Sequence, residues 1–210
     1  MIASRCGVPI LRLMSSYIEI LVVGIVAFVL SLGLNRLMLV IAPRLGLMDE
    51  PGERRIHATA VPRAGGLAIW LTFLIVILWE LMVDWQVGQG GNLSWQWLRG
   101  FTAGSLVLII AGFIDDRKGL SPWVKLCAHI LAPSLFFMIS PIRSGIFEGD
   151  HAWFADFGLF VAWSVVLINA FNLIDGLDGL CGGLATVASL ALGGLAIANQ
   201  RLDAALLLFA

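Results

Sequence analysis

The chain has 210 residues, of which 60% are hydrophobic and only 13% are charged, and its mean hydropathy is +0.95. Ordinary soluble domains are about 45–50% apolar and about 25% charged, so this composition excludes a water-soluble domain and indicates a polytopic membrane protein. The net charge of −1 argues against a nucleic acid as a partner, because nucleic-acid-binding domains carry an excess of positive charge.

Apolar runs long enough to cross a bilayer, which takes about 20 residues, follow one another along the chain. The predicted spans are residues 18–41, 65–83, 98–114, 124–142, 154–168 and 180–198. A seventh run begins at Ala204 and reaches the last residue, so we expect a fragment of a longer protein. The predicted fold class is all-α, a polytopic transmembrane helical bundle. Residues 1–17 are assigned to an N-terminal tail, with Met14 as an alternative start, and residues 18–210 to a transmembrane domain incomplete at its C-terminus.

Lysine and arginine residues are divided unequally between the predicted loops. Eight of them lie in the loops 36–63 and 115–125. Three lie in the loops 84–100, 141–153 and 199–203. Because cytoplasmic loops are enriched in Lys and Arg, we predict that the first set is cytoplasmic and that the N-terminus is outside. The polar stretch 169–180 then also falls on the cytoplasmic side. The outer loop 84–100 contains Trp85, Trp95 and Trp97, which are interpreted as interfacial anchors, with a sugar platform as the less favoured role.

The first polar loop on the cytoplasmic face, residues 49–66, is long, basic and rich in Pro and Gly. Arg54, Arg55 and Arg63 lie in this loop, and guanidinium groups bind phosphate oxygens bidentately. The alternative is that these arginines only obey the positive-inside rule, which requires no ligand.

The second polar loop begins with Asp115 and Asp116 at the end of an apolar span. Two carboxylates at such a position are costly to desolvate unless they are paired or bind a metal ion, and one of them can serve as a base. The alternative is a solvated helix end, with Arg117 and Lys118 as counter-ions. Lys125 begins the next span and can reach back to the same site.

The third polar loop carries four oxygen-bearing side chains at a spacing of three. They are Asn169, Asn172, Asp175 and Asp178. On a helix this spacing keeps them on one face, whereas unwinding at Gly176 and Gly179 lets the backbone approach a ligand. Carbonyl and carboxylate oxygens suit Mg²⁺ and, through it, a phosphate. With Asp115 and Asp116 these acids form the arrangement expected for a Mg²⁺-bound diphosphate. The alternative is a polar turn between two spans.

These three loops resemble, in order, the motifs of the polyprenyl-phosphate N-acetylhexosamine-1-phosphate transferases. The family includes the undecaprenyl-phosphate GlcNAc-1-phosphate transferases and the phospho-N-acetylmuramoyl-pentapeptide transferases. The motifs are Asp49-x-Pro51 through His57 to Pro62-Arg-x-Gly-Gly66, then Asp115-Asp116, then Asn169-x-x-Asn172-x-x-Asp175-Gly-x-Asp178-Gly-Leu180. The resemblance covers nearly the whole chain from Ile18 onward. The sequence Val61-Pro-Arg-Ala-Gly-Gly66 looks like the GlcNAc-type enzymes.

The resemblance implies a reaction and a location. Undecaprenyl phosphate attacks the β-phosphorus of a UDP-N-acetylhexosamine, with UDP-GlcNAc favoured, and UMP leaves. The cofactor is Mg²⁺, with Mn²⁺ as a substitute, and the product begins a cell-envelope polysaccharide such as O-antigen or common antigen. The enzyme would lie in the bacterial inner membrane, with its site loops in the cytoplasm. Its expected partners are the two substrates and membrane lipid, and a homodimer is left open.

The resemblance also implies site roles, position by position. Residues implied to be catalytic are Asp115, Asp116 and Asp175. Residues implied to bind the metal ion are Asn172, Asp175 and Asp116. Residues implied to bind substrate are Gly176, Leu177, Asp178, Lys125, His57 and Arg55. The division of labour among the acids is left open, because coupled carboxylates titrate together.

Two other functions are considered, and one departure from the family bears on activity. An intramembrane prenyltransferase uses aspartates spaced three or four apart, but position 119 is Gly rather than Asp. An ion-coupled transporter places its acids at mid-membrane, whereas these lie at predicted span ends. The family's later motifs, a Gly-Asp-x-Gly-Ser loop and a His-rich loop, are absent by Ala210, so we expect these residues alone to be inactive.

Overall fold

The computed structural model describes residues 10–46, 48–49, 61–62, 65–83, 93–143, 146–149, 151–175 and 179–210. These residues form seven helices and one short strand pair. The helices are α1 (Ile10–Leu45), α2 (Gly65–Val83), α3 (Trp95–Lys118), α4 (Pro122–Ile139), α5 (Ala152–Ile174), α6 (Leu180–Ala198) and α7 (Leu202–Phe209). Strands β1 (Met48–Asp49) and β2 (Val61–Pro62) pair antiparallel. The predicted all-α class is thus confirmed.

Six of these helices, α1 to α6, are long and apolar enough to cross a membrane. The predicted bounds of the second and sixth spans coincide with α2 and α6. The first and fifth helices are longer than predicted, because α1 begins at Ile10 and α5 continues to Ile174. Hydrogen bonds within a helix pair the backbone N–H and C=O groups where the chain leaves the hydrocarbon. The helix can therefore extend beyond the apolar run from which the span was predicted. The protein is therefore a multi-pass membrane protein.

Successive spans run in opposite directions, which separates the loops into two sets. The ends of α1, α3 and α5 and the starts of α2, α4 and α6 lie at one end, which we call the basic end because the sequence concentrates Lys and Arg around these positions. The opposite end, where α1 and α3 begin, is called the far end. The short helix α7 starts at the far end and packs along α1, where the carbonyl oxygen of Phe209 lies 3.6 Å from the Cβ position of Gly24.

Helices α3 and α4 pack closely against each other in the described part of the chain. A Cβ atom built on Gly104 would lie 2.6 Å from the carbonyl oxygen of Ala132, and one on Gly100 would lie 3.0 Å from that of Phe136. Small residues four apart let membrane helices approach closely, where van der Waals contact stabilises the pair. This contact lies toward the far end of both helices and brings them close there, whereas the short α3–α4 turn joins them at the basic end.

The largest buried cluster lies at the far end, where α1, α2, α3 and α7 meet. It includes Ile20, Ile77, Trp97 and Leu206. Trp97 is 6% exposed and stacks on Phe101, so its interpretation as an interfacial anchor is wrong. The indole packs inward because the apolar faces of three helices converge on it, whereas neighbouring Trp95 is exposed. Trp85 lies outside the described residues.

Candidate functional site

The α3–α4 turn is built by three residues with distinct local roles. Gly119 has a φ of +68°, a conformation that favours glycine, and its N–H donates to the carbonyl of Asp115 at 2.8 Å. Ser121 caps α4, since its Oγ accepts from the N–H of Val124, and Pro122 occupies the first helical turn. The chain therefore reverses within a few residues and brings the end of α3 against the start of α4.

The Asp115 carboxylate is held through both of its oxygens. Lys125 Nζ lies 2.8 Å from Oδ2, and the N–H of Leu120 donates to Oδ1 at 2.7 Å. The side chains of Lys125 and Asp115 are 36% and 30% exposed, so the ion pair is half-solvated. The expected approach of Lys125 to Asp115 is present. The pair fixes an ammonium group at the membrane surface, where the remaining N–H donors suit a phosphate.

Asp116 and Arg117 continue this edge toward the first polar loop. Asp116 is exposed. The Arg117 guanidinium lies over the Phe113 ring, 4.2 Å from its centroid, and its Nη2 is 3.7 Å from the Cβ position of Gly46. Gly46 follows α1 directly, so the end of α1 and the end of α3 are neighbours. Two polar segments far apart in sequence therefore meet at the basic end.

The third polar segment is helical for most of its length. Asn169 and Asn172 lie on α5 and are exposed, and the Asn169 amide donates to the carbonyl of Val165 at 2.8 Å. Asp175 caps the helix, with its N–H donating to the Phe171 carbonyl. Of the two geometries left open by the sequence, the helical one holds as far as Ile174.

The Asp175 carboxylate has a neighbour that the sequence did not indicate. The Cys181 side chain, in the first turn of α6, is close enough to interact with Asp175 electrostatically. Cys127 and Cys181 lie in or beside apolar runs, which predicts that both pack in the core, but this prediction is wrong because Cys127 is exposed and Cys181 is only half-buried. An apolar run shows that a cysteine lies in a helix, but not which face of that helix is packed.

The predicted site residues are only partly described. Asp115, Asp116, Lys125, Asn172 and Asp175 all lie at the basic end. The remaining predicted residues lie outside the described part of the chain: Arg55, His57, Gly176, Leu177 and Asp178.

The predicted metal ligands, Asp116, Asn172 and Asp175, supply carboxylate and amide oxygens, which fit a hard cation such as Mg²⁺. All three are exposed at the same end of the bundle. Within residues described by the structure, no three Asp, Glu, His or Cys side chains lie close enough together to hold a metal ion. Because Asn172 is of none of these types, the predicted ligand set stays a prediction.

Comparison with known proteins identifies the family to which the chain belongs. The profile of glycosyl transferase family 4 matches residues 98–210, and the chain belongs to this family. It is 31% identical, over 84% of its length, to a probable undecaprenyl-phosphate N-acetylglucosaminyl 1-phosphate transferase of Bacillus subtilis. It is 32% identical, over 79% of its length, to the undecaprenyl-phosphate alpha-N-acetylglucosaminyl 1-phosphate transferase of Thermotoga maritima.

A third relative is the decaprenyl-phosphate N-acetylglucosaminephosphotransferase of Mycobacterium tuberculosis, 31% identical over 83% of the chain. The matches cover 49%, 49% and 44% of these three relatives, so the chain spans about half of their length. No solved structure matches the chain significantly.

Proposed function

We propose that this chain forms part of a transferase that moves N-acetylglucosamine-1-phosphate from UDP-N-acetylglucosamine to undecaprenyl phosphate and releases UMP. The observation that carries the proposal is the Asp115–Lys125 ion pair beside Asp116, at the membrane surface of a family 4 chain. A lipid phosphate lies at this depth, and so would a fixed ammonium group that binds it. The names of the relatives support the sugar and the lipid.

In this proposal Lys125 binds the phosphate of the lipid acceptor and Asp115 is a positioning residue. A phosphate monoester has a second pKa of about 6, so near neutral pH the attacking oxygen is largely unprotonated. The first requirement is therefore to hold the anionic phosphate of the lipid close to the anionic diphosphate of the UDP-sugar. Lys125 offsets the charge of the acceptor, and Asp115 keeps the ammonium in place through its salt bridge and its bond from Leu120.

The bond changes then follow from the geometry of phosphoryl transfer. An oxygen of the lipid phosphate forms a bond to the β-phosphorus of the UDP-sugar, and the bond from that phosphorus to the bridging oxygen breaks. The electron pair leaves with UMP. Asp116, Asn172 and Asp175 would hold Mg²⁺, or Mn²⁺ in its place. When bound, the metal ion neutralises charge on the diphosphate oxygens.

The location and pathway are part of the same proposal. The unequal distribution of Lys and Arg supports a cytoplasmic basic end, where UDP-sugars are available. The inner membrane and an early step of a cell-envelope polysaccharide, of the O-antigen or common-antigen kind, are proposed from the resemblance of the motifs. Arg55, His57, Gly176, Leu177 and Asp178 are assigned to substrate binding by their motif positions alone.

The test is exchange of labelled UMP into UDP-N-acetylglucosamine, in membranes that contain the complete gene product, undecaprenyl phosphate and Mg²⁺. Wild type is compared with Asp116→Asn and Asp175→Asn. The control is Glu148→Gln, which changes an exposed carboxylate at the far end. We expect each aspartate variant to lose about 10²-fold or more in exchange rate, with the control unchanged. Mg²⁺-independent exchange, or full exchange in both variants, would refute the proposed site.

An ion-coupled transporter is disfavoured by the positions of the buried acids. Glu19, Glu80 and Asp156 are buried within spanning helices, as transported cations would require. However, each lies near the far end of its helix rather than at its middle. Uptake of Na⁺ or H⁺ by proteoliposomes that contain the protein, and not by liposomes without it, would support the transporter alternative.

A further inference from the structure

His129 is a polar residue inside the spanning helix α4 that the proposed transfer leaves unused. Its Nδ1 atom is fully buried and has no hydrogen-bond partner among the described residues. The residue as a whole is only half-buried, so another part of the ring is accessible. A buried polar atom without a partner costs free energy, and proteins retain few of them. The imidazole therefore requires an explanation.

His129 lies one helical turn from Lys125, at the interface between α4 and α3. Residues four apart on a helix share a face, with Cβ atoms about 5–6 Å apart. Lys125 reaches across to Asp115 on α3. Three positions beyond His129, the carbonyl oxygen of Ala132 lies 2.6 Å from the Cβ position of Gly104. His129 is therefore placed between two contacts of the same helix pair, next to the ion pair of the candidate site.

The depth of His129 suits the membrane side of a lipid phosphate. The residue follows Pro122, at the start of α4, by seven positions, or about 10 Å along the helix. Side chains on a helix lean toward its N-terminus, which for α4 is the basic end. A phosphate on the Lys125 ammonium has its lipid chain below it, in the hydrocarbon. The imidazole therefore lies below the lysine, on the side from which the lipid enters.

The burial of Nδ1 indicates which ring nitrogen carries the hydrogen. A neutral imidazole has one N–H donor and one acceptor nitrogen. A buried N–H without an acceptor is rarer in proteins than a buried acceptor without a donor. We therefore assign Nδ1 of His129 as the acceptor, and Nε2, at the outer tip of the ring, as the donor.

We propose that His129 binds the acceptor lipid by donating a hydrogen bond from Nε2 to an oxygen of the phosphate that Lys125 holds. The inference rests on the proposed function and adds a residue to its acceptor site. The Lys125 ammonium attracts any anion that reaches the basic end. A donor below the phosphate favours a phosphate that is anchored in the membrane, because a free phosphate is not held at this depth. His129 thus contributes to the preference for a lipid acceptor.

The first test measures binding of labelled undecaprenyl phosphate to the complete protein in detergent, without UDP-sugar. Farnesyl phosphate is the short-chain probe. His129→Leu should weaken binding of both lipids about tenfold or more, because a hydrogen bond to a charged group is lost. Ser134→Ala, which removes an exposed hydroxyl from the same helix, is the matched control and should bind both lipids like wild type. Weaker binding of undecaprenyl phosphate alone would show a contact with the chain and overturn the proposal.

Two polar variants distinguish the two ring nitrogens. A glutamine amide reaches about as far as Nε2, whereas an asparagine amide reaches only about as far as Nδ1. We expect His129→Gln to bind the lipids nearly as wild type does, and His129→Asn to bind as weakly as His129→Leu. Both variants place an amide in the span, so their comparison is decisive even if the leucine variant fails to fold. Equal affinities of the two amide variants would contradict donation from Nε2.

The second test separates binding from turnover, in lipid-dependent release of UMP. In His129→Leu the KM for undecaprenyl phosphate should rise about tenfold, with kcat and the KM for UDP-N-acetylglucosamine unchanged. A loss confined to kcat would overturn the proposal. Unchanged lipid binding with a lower free energy of unfolding would also overturn it, because His129 would then pair with another part of the polypeptide. If wild type binds the lipid but releases no UMP, the proposed function fails, while the binding comparison still decides the role of His129.

Discussion

Asp115 and Lys125 are the residues at which the local geometry gives a direct functional prediction. If Asp115 acts by holding Lys125, removing either partner removes the same interaction with the acceptor phosphate. We expect Asp115→Asn and Lys125→Met each to reduce UMP exchange about 10²- to 10³-fold, and the double variant to be no worse than either single variant.

The control for this pair is Lys118→Met, which removes an exposed cation from the last turn of α3. Its exchange rate should stay near wild type. Effects of the two single variants that multiply in the double variant would show that Asp115 acts independently of Lys125, for example as a base.

Glu80 gives a prediction about stability rather than activity. Its side chain is fully buried in α2 beside the Glu19 carboxyl, which is near enough to share a hydrogen bond with it, so two acids are buried side by side. Burial of a polar group whose hydrogen bonds are incompletely replaced costs about 1–3 kcal/mol. Glu80→Met should therefore raise the free energy of unfolding by about that amount, measured by denaturant titration in detergent. A fall in stability would show that Glu80 has a favourable partner. Glu148→Gln, on an exposed loop, should have no effect.

At the scale of helices, the α3–α4 contact decides how closely these two spans pack. Gly104 faces the backbone of α4, which cannot move aside as a side chain can. Gly104→Ala should lower the free energy of unfolding by about 1–3 kcal/mol. Gly112 lies on the same helix with no atom within 4 Å of its Cβ position, so Gly112→Ala is the matched control.

The control variant should be neutral or stabilising by up to about 1 kcal/mol, because alanine is the better helix former. Since Asp115 and Lys125 lie on the two helices joined here, Gly104→Ala should also slow UMP exchange. Equal stability of the two alanine variants would contradict the close approach of α3 and α4.

At the scale of the whole molecule, orientation in the membrane is the prediction to test. Cys181 lies at the basic end of α6 and is half-buried, so it can react with a thiol reagent. With Cys6 and Cys127 replaced by serine, a charged, membrane-impermeant maleimide should label Cys181 in inverted vesicles and not in intact cells. Glu148→Cys, with Cys181 also replaced, places a thiol at the far end and should give the opposite pattern. Labelling of Cys181 from outside would reverse the proposed topology.

The sequence by itself determined the class of the protein and the residue types of its site. Hydropathy is a sum over neighbouring residues, so span number and the bounds of α2 and α6 follow without any tertiary information. The carboxylates and amides at span ends can also be recognised from the sequence, because a polar side chain is costly in apolar surroundings and few occur there.

Only the tertiary structure decided which faces of the helices meet. Nearly every face of α1 to α6 is apolar, so periodicity does not distinguish a packed face from one that contacts lipid. The burial of Trp97 and Glu80 and the exposure of Cys127 therefore had no signal in the sequence. The approach of Lys125 to Asp115 was expected from the short turn between two spans, whereas the engagement of both Asp115 oxygens, by Lys125 and by the N–H of Leu120, appears only in the folded chain.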